Sequence, residues 1–284
     1  MQTCYRHPDR ETKVSCSNCE RPICPDCMTS TPVGMRCPEC ARQRTRVHNP
    51  TGAATRSDAP ATYAIIGLCV AAFLAEILSG AELLGGGDAG SVAIDFGLFA
   101  YGGPGFGVAE GEVYRIVTAA FLHSGIIHLG LNMFALYILG TLLEPAIGTR
   151  RFLGIYVAAI LAGSCGALLL DPDQLTVGAS GGIFGLMAGA FLIARHRGLD
   201  ELASQVGIFV VLNLVFTFSI PNISIGGHLG GLLGGALAAL VVNYFEGRRQ
   251  GSVVVLETLG LIAVSALAVV GGILAAEAGV PSLV

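Results

Sequence analysis

Seven apolar stretches dominate this chain, near residues 62–80, 124–143, 151–170, 180–195, 203–220, 225–245 and 253–276. A bilayer's hydrocarbon core is about 30 Å thick, and a helix needs about 20 apolar residues to cross it. No water reaches that depth, so each stretch must satisfy its own backbone hydrogen bonds, which a helix does. The fourth stretch is short and suits a helix that begins below the membrane surface. Composition agrees: 53% of the 284 residues are hydrophobic and 13% charged, against roughly a quarter charged in soluble domains. The mean hydropathy is +0.69. The expected fold class is an all-α polytopic membrane protein with seven transmembrane helices.

Basic residues choose the orientation. Arg150 and Arg151, Arg195 and Arg197, and Arg248 and Arg249 occupy three alternate connections, whereas the opposite connections hold only Arg115. The positive-inside rule then places the N-terminus in the cytosol and the C-terminus outside a multi-pass chain in the cell (plasma) membrane. The first forty residues are polar rather than a basic stretch followed by an apolar one, so no signal peptide is expected. The net charge of -4 says little, because nine of the sixteen Lys and Arg residues precede residue 57.

Seven of the nine cysteines fall between residues 4 and 40. In a reducing compartment such clustering points to metal rather than disulfides. The potential ligands come in pairs: Cys4 with His7, Cys16 with Cys19, Cys24 with Cys27, and Cys37 with Cys40. Each pair can fill two corners of a tetrahedron, so four pairs supply two closed structural zinc sites. The short gap from Cys19 to Cys24 favours a cross-brace, with Cys4, His7, Cys24 and Cys27 on one ion. Cys16, Cys19, Cys37 and Cys40 then hold the other; pairing of neighbours is the alternative. The pattern resembles B-box zinc fingers. Few hydrophobes are present, so metal is expected to supply most of the folding energy. A closed site is structural or a binding surface, and a cytosolic protein is its expected partner; no nucleic acid is expected. The expected domains are a zinc module (1–48), a linker (49–61), a membrane domain (62–245), and the last helix with its tail (246–284). His48 is a spare imidazole. The loop at 81–122 is either disordered or partly embedded in the outer leaflet, since its acids are few and its apolar residues many.

Chemistry concentrates at three places expected at similar shallow depth on the external side. Ser180 sits in the turn Gly178-Ala179-Ser180-Gly181 at the start of the fourth span. His228 lies in the first turn of the sixth span, and His128 and Asn132 lie four apart on one face of the second. An ionisable ring inside a membrane span is costly and marks function by default. Glycines at 181, 182, 185 and 189, and at 230, 231, 234 and 235, let two membrane helices approach closely. A serine within about 3 Å of a neutral imidazole is the minimal nucleophile and base for acyl transfer.

These motifs resemble the rhomboid intramembrane serine proteases over about residues 62–245, which implies a six-helix core there and makes the seventh span an extra C-terminal transmembrane helix. They are G-x-S-G at 178–181, H-x-x-G-x-x-x-G at His228, Gly231 and Gly235, and H-x-x-x-N at His128 and Asn132, preceded by His123. Arg115 and the Gly140-x-x-x-Glu144 pair also fit. The resemblance implies a Ser180–His228 dyad without a third acid and without a catalytic cofactor. It further implies an oxyanion site made by His128, Asn132 and the Ser180 backbone N–H. The expected reaction is endopeptidase cleavage of single-span membrane protein substrates near the external face of the lipid bilayer, with entry between the second and fifth spans. Two positions depart from the family pattern: Tyr114 replaces the tryptophan before Arg115, and Phe184 replaces the usual tyrosine four residues after the nucleophile, where it can still stack on His228. The alternative function is an inactive relative that holds client helices while the zinc module recruits cytosolic partners. Ion-coupled transport is disfavoured because paired acids in the inner spans are lacking. No H-E-x-x-H exists for a metalloprotease. His123 reads as a loop-ordering group, Glu144 as a helix-end anchor, and His196 as a solvated group of the inner loop. Cys69 and Cys165 read as small apolar residues.

Overall fold

The computed structural model describes residues 2–31, 34–42, 59–248 and 251–279. The chain divides into two units, Met1–Arg56 and Ser57–Val284. Most of the linker expected at 49–61, and His48 with it, lies outside the described residues.

In the first unit, β1 (Gln2–Cys4) pairs antiparallel with β2 (His7–Thr12), and β3 (Thr29–Thr31) with β4 (Gly34–Arg36). A single 3-10 turn (Pro25–Cys27) and the short α1 (Pro38–Arg42) complete it. Its buried apolar set is six cysteines and Ile23. So small an aliphatic core cannot offset the ordering entropy of some forty residues. The cysteines must therefore contribute more than packing.

The second unit is helical: α2 (Pro60–Leu78), α3 (Gly90–Phe96), α4 (Arg115–Thr118), α5 (Ile126–Ile147), α6 (Thr149–Leu170), α7 (Ser180–His196), α8 (Asp200–Ser219), α9 (Ile225–Phe245) and α10 (Gly251–Gly279). Six of these, α2, α5, α6, α8, α9 and α10, are long and apolar enough to cross a membrane. The seventh expected span is α7, which has 17 residues. The protein is a multi-pass membrane protein, and exposed Leu, Ile, Val and Phe side chains cover the outward faces of its spans.

α6, α7 and α9 form the centre. Their contact is made of backbone: a Cβ on Gly231 would fall on the carbonyl oxygen of Gly181, and one on Gly235 on the Cα of Gly185. Small residues thus set the α7–α9 distance. α10 packs on α6 and α9, and α2 on α5. Buried acids tie the ends of helices. Glu144 of α5 accepts the Ala61 and Thr62 amides at 3.0 and 2.9 Å, capping the N-terminus of α2 with negative charge. Glu257 of α10 accepts Arg150 at 2.6 Å and Arg151 at 2.7 Å from the first turn of α6.

The 81–122 loop is folded among the described residues, so the disordered reading fails. Its centre is Arg115, whose side chain is 0% exposed. Arg115 donates to the Ile94 and Gly97 carbonyls at 2.7 and 2.8 Å and to Glu112 at 2.8 Å. The guanidinium also lies over the Phe99 and Phe106 rings, 4.4 and 4.6 Å from their centroids. The Gly107 amide foremost, with Tyr114 and Arg115, holds the Glu112 carboxyl below the usual carboxylate range. A bridge from Leu98 to Thr176 then joins this loop to the segment leading into α7.

Candidate active site

The turn before α7 aims the nucleophile. Gly178 has φ +130°, a conformation open to glycine, and its amide is held by the Ala119 carbonyl at 2.9 Å. A side chain there would also meet the His128 ring, since a Cβ would sit 2.9 Å from its Cε1 and 3.0 Å from its Nε2. The glycine therefore leaves room for the His128 ring against this turn. Ser180 opens α7, whose first backbone N–H groups have no acceptor within the helix and point their partial positive charge outward.

His228 stands in the first turn of α9, which Ser224 caps by accepting the Gly227 amide at 3.0 Å. The His228 Nε2 lies 2.8 Å from Ser180 Oγ. Phe184, one turn into α7, stacks on the imidazole with centroids 4.2 Å apart and planes at 21°. Without a hydroxyl it still restricts the ring to one plane. The other ring nitrogen, Nδ1, lies 2.7 Å from Thr217 Oγ1 of α8. Thr217 was not singled out from sequence. A lone threonine in an apolar span is usually satisfied by the carbonyl four residues back, and only the Asn213–Thr217 spacing marks a polar face there.

His128 and Asn132 line the same cavity of about 670 Å³ as Ser180 and His228. His128 Nδ1 faces the Ser124 amide at 3.4 Å and the Ser124 hydroxyl at 3.1 Å. A backbone N–H can only donate, so Nδ1 is the acceptor and Nε2 carries the proton. That proton lies on the Gly178 side of the ring, toward the turn that carries Ser180. Asn132 is buried and donates to the His128 carbonyl at 3.0 Å, which leaves its second amide proton available. His123 does order its loop: Nδ1 meets the Phe121 carbonyl at 3.2 Å, and its amide donates to Glu76 at 3.0 Å. His196 instead faces Glu246 at 3.5 Å, so it has a partner rather than solvent alone.

The eight zinc-ligand candidates of the first unit gather into two groups of four. Cys4, His7, Cys24 and Cys27 form one, and Cys16, Cys19, Cys37 and Cys40 the other, with ligand atoms all within 4.8 Å of one another. This is the cross-braced arrangement, not the pairing of neighbours. His7 Nδ1 lies 3.8, 3.3 and 3.4 Å from the Cys4, Cys24 and Cys27 sulfurs. With zinc–sulfur bonds of about 2.3 Å and zinc–nitrogen bonds of about 2.0 Å, the edges of a tetrahedral site are about 3.5–3.8 Å. The donor set fits zinc. In the second group Arg21 donates to Cys19 at 3.2 Å, Asn18 to Cys40 at 3.4 Å, and the Cys37 amide to Cys16 at 3.3 Å. The Arg21 side chain is the main cause that lowers the Cys19 thiol pKa. Such donors offset thiolate charge, as a four-sulfur metal site requires.

Residues 110–245 match the family model of the Rhomboid domain. The chain is 37% identical over 161 residues to "Rhomboid protease GluP" of Bacillus subtilis (strain 168), covering 54% of this chain and 32% of that protein. It is 34% identical over 149 residues to "Putative rhomboid protease YdcA" of the same organism, covering 50% of this chain and 74% of that protein. A human relative, "Rhomboid-related protein 3", is 29% identical over 157 residues, 49% of this chain and 39% of that protein. The chain thus spans under half of two of these three relatives.

Proposed function

Since the chain belongs to the rhomboid family, we propose that it is an intramembrane serine endopeptidase that cleaves single-span membrane proteins near the external membrane face. The observation that carries this reading is the 2.8 Å contact between Ser180 Oγ and His228 Nε2, inside a cavity among membrane-spanning helices. A binding protein of this family would need no such contact.

In the proposed reaction, Ser180 Oγ attacks the scissile carbonyl while His228 Nε2 takes its proton. The carbonyl oxygen becomes an oxyanion beside the N–H groups at the start of α7, the His128 Nε2–H and the free Asn132 amide proton. His228 then returns the proton to the leaving amine, and the C–N bond breaks. A water, deprotonated by the same imidazole, attacks the acyl-serine; the ester C–O bond breaks, Ser180 Oγ takes the proton back from His228, and the second product leaves. The imidazolium and the oxyanion form as a pair of opposite charges with no third charged group, which suits a low-dielectric site. The arginines at the α5–α6, α7–α8 and α9–α10 connections support a cytosolic N-terminus and an external active site. The first unit would hold two structural zinc ions on the cytosolic side and present a surface to a cytosolic protein.

Ser180→Ala and His228→Ala should each abolish cleavage of a model single-span substrate by protein reconstituted in vesicles, with insertion unchanged. A fluorophosphonate should label Ser180 in the wild type. Cleavage by purified Ser180→Ala protein would refute the dyad.

A further inference from the structure

His228 needs a defined tautomer to act as a base: Nε2 must present a lone pair to Ser180, so the proton must sit on Nδ1. Among the described residues, the ring nitrogens of His228 have hydrogen-bond contacts with two side chains, Ser180 and Thr217. Thr217 comes from α8, a helix that buries only Ala203, Val206 and Thr217. Its side chain is thus an inward-facing polar group on an otherwise largely outward-facing helix, and the residue is 2% exposed.

A threonine hydroxyl has one proton and two lone pairs. Thr217 Oγ1 lies 2.8 Å from the Asn213 carbonyl of its own helix. That oxygen can only accept, so the hydroxyl proton goes there. Toward His228, at 2.7 Å, Thr217 can then offer only a lone pair. We propose that Thr217 is the positioning residue of the dyad. It accepts a hydrogen bond from His228 Nδ1–H and so fixes the imidazole in the tautomer that takes the Ser180 proton. The proposal rests on the Ser180–His228 reading and adds a third, uncharged member held from a third helix.

The position matches that of the acid in a Ser-His-Asp triad, which orients the imidazole and stabilises its cation. A carboxylate would be costly to bury among these spans, and here the hydroxyl dipole, backed by a carbonyl, does the orienting without a second charge. The chain Asn213 C=O, Thr217 O–H, His228 N–H and Ser180 O–H points one way throughout. Reversing the tautomer would set the Nε2–H against Ser180 and remove the base.

The test uses the full-length protein in detergent with wild type, Thr217→Val and Thr217→Ser. Valine keeps the shape and loses the hydroxyl; serine keeps the hydroxyl. The readouts are kcat and KM on a single-span substrate, the unfolding temperature, and the ¹⁵N shifts of His228 in histidine-labelled protein, assigned with a His228→Gln variant. We expect an Nδ1–H tautomer in the wild type and a mixture in Thr217→Val. We expect Thr217→Val to lower kcat about tenfold, one hydrogen bond's worth, with KM unchanged. Thr217→Ser should restore both. An Nε2–H tautomer in the wild type overturns the proposal without any variant. So does wild-type kcat with an unchanged tautomer in Thr217→Val, or equal losses in both variants accompanied by a lower unfolding temperature. Should Ser180→Ala retain cleavage, the dyad reading fails instead, and the tautomer measurement still decides what Thr217 does to His228.

Discussion

His128 and His228 carry the same ring and are set by their neighbours to opposite protonation patterns. The Ser124 amide occupies the Nδ1 lone pair of His128 and leaves Nε2 as a donor. Thr217 takes the Nδ1 side of His228 and leaves Nε2 as an acceptor facing Ser180. One ring is prepared to donate to negative charge and the other to remove a proton. His128→Ala and Asn132→Ala should therefore lower kcat by roughly 10²–10³, as loss of an oxyanion donor does, with much less effect on KM. The competing role, tying the 81–122 loop to α5, predicts a lower unfolding temperature with near-normal turnover. Measuring both quantities on each variant separates the two. At this scale the sequence was partly legible. Ser180, His228, His128 and Asn132 stand out because polar residues at matched depth in apolar spans are costly. Thr217 does not stand out, since its hydroxyl can be satisfied within its own helix, and only the fold brings α8 beside α9. Arg115 was visible as a lone external cation, but nothing in its spacing announced that a whole loop is wrapped around it.

Among helices, the α7–α9 contact decides whether Ser180 and His228 can meet. The glycines at 181, 185, 231 and 235 bring backbone onto backbone, and a serine side chain is short enough that little slack remains. Gly231→Val should force the helices apart. Overpacking of this kind costs about 1–3 kcal/mol or more, and the Ser180–His228 contact should be lost before the fold is. The expected result is a lower unfolding temperature and loss of fluorophosphonate labelling at Ser180. Gly67 of α2 is the control, because nothing lies within 4 Å of a Cβ placed there. Gly67→Ala should leave labelling intact and stability equal or slightly higher. Wild-type labelling in Gly231→Val would show that α7 and α9 tolerate separation. The seven expected helices were legible because hydropathy reports burial in lipid directly; all seven form within a few residues of expectation, and six of them are long and apolar enough to cross a membrane. The 81–122 loop was not, because a fold organised by one arginine, its carbonyl partners and two phenylalanines has no period to detect.

At the scale of the whole chain, two units draw their stability from different sources. The helical unit has backbone pairing and packing in abundance; the first unit has Ile23 and a set of cysteines. If the two four-residue groups hold zinc, most of the folding energy of that unit is metal-binding energy. Metal analysis of the full-length protein should then give two zinc ions per chain. Cys19→Ser should remove one of them, because Cys19 belongs to a single group. Arg21→Ala should weaken the same ion without touching the other, since its guanidinium bonds to Cys19 and Cys37 only among the cluster sulfurs. Four protein ligands on each ion would leave no position for a substrate, so the zinc unit is expected to take no part in the proposed peptide hydrolysis. A chain starting near residue 58 should accordingly keep its turnover on a model substrate and its Ser180 labelling. One ion or none in the full-length protein would reject the two-site assignment. Loss of all cleavage in the shortened chain, with Ser180 still labelled, would instead make the first unit a requirement for substrate delivery rather than an accessory. Loss of labelling as well would mean that the helical unit depends on it to form the site.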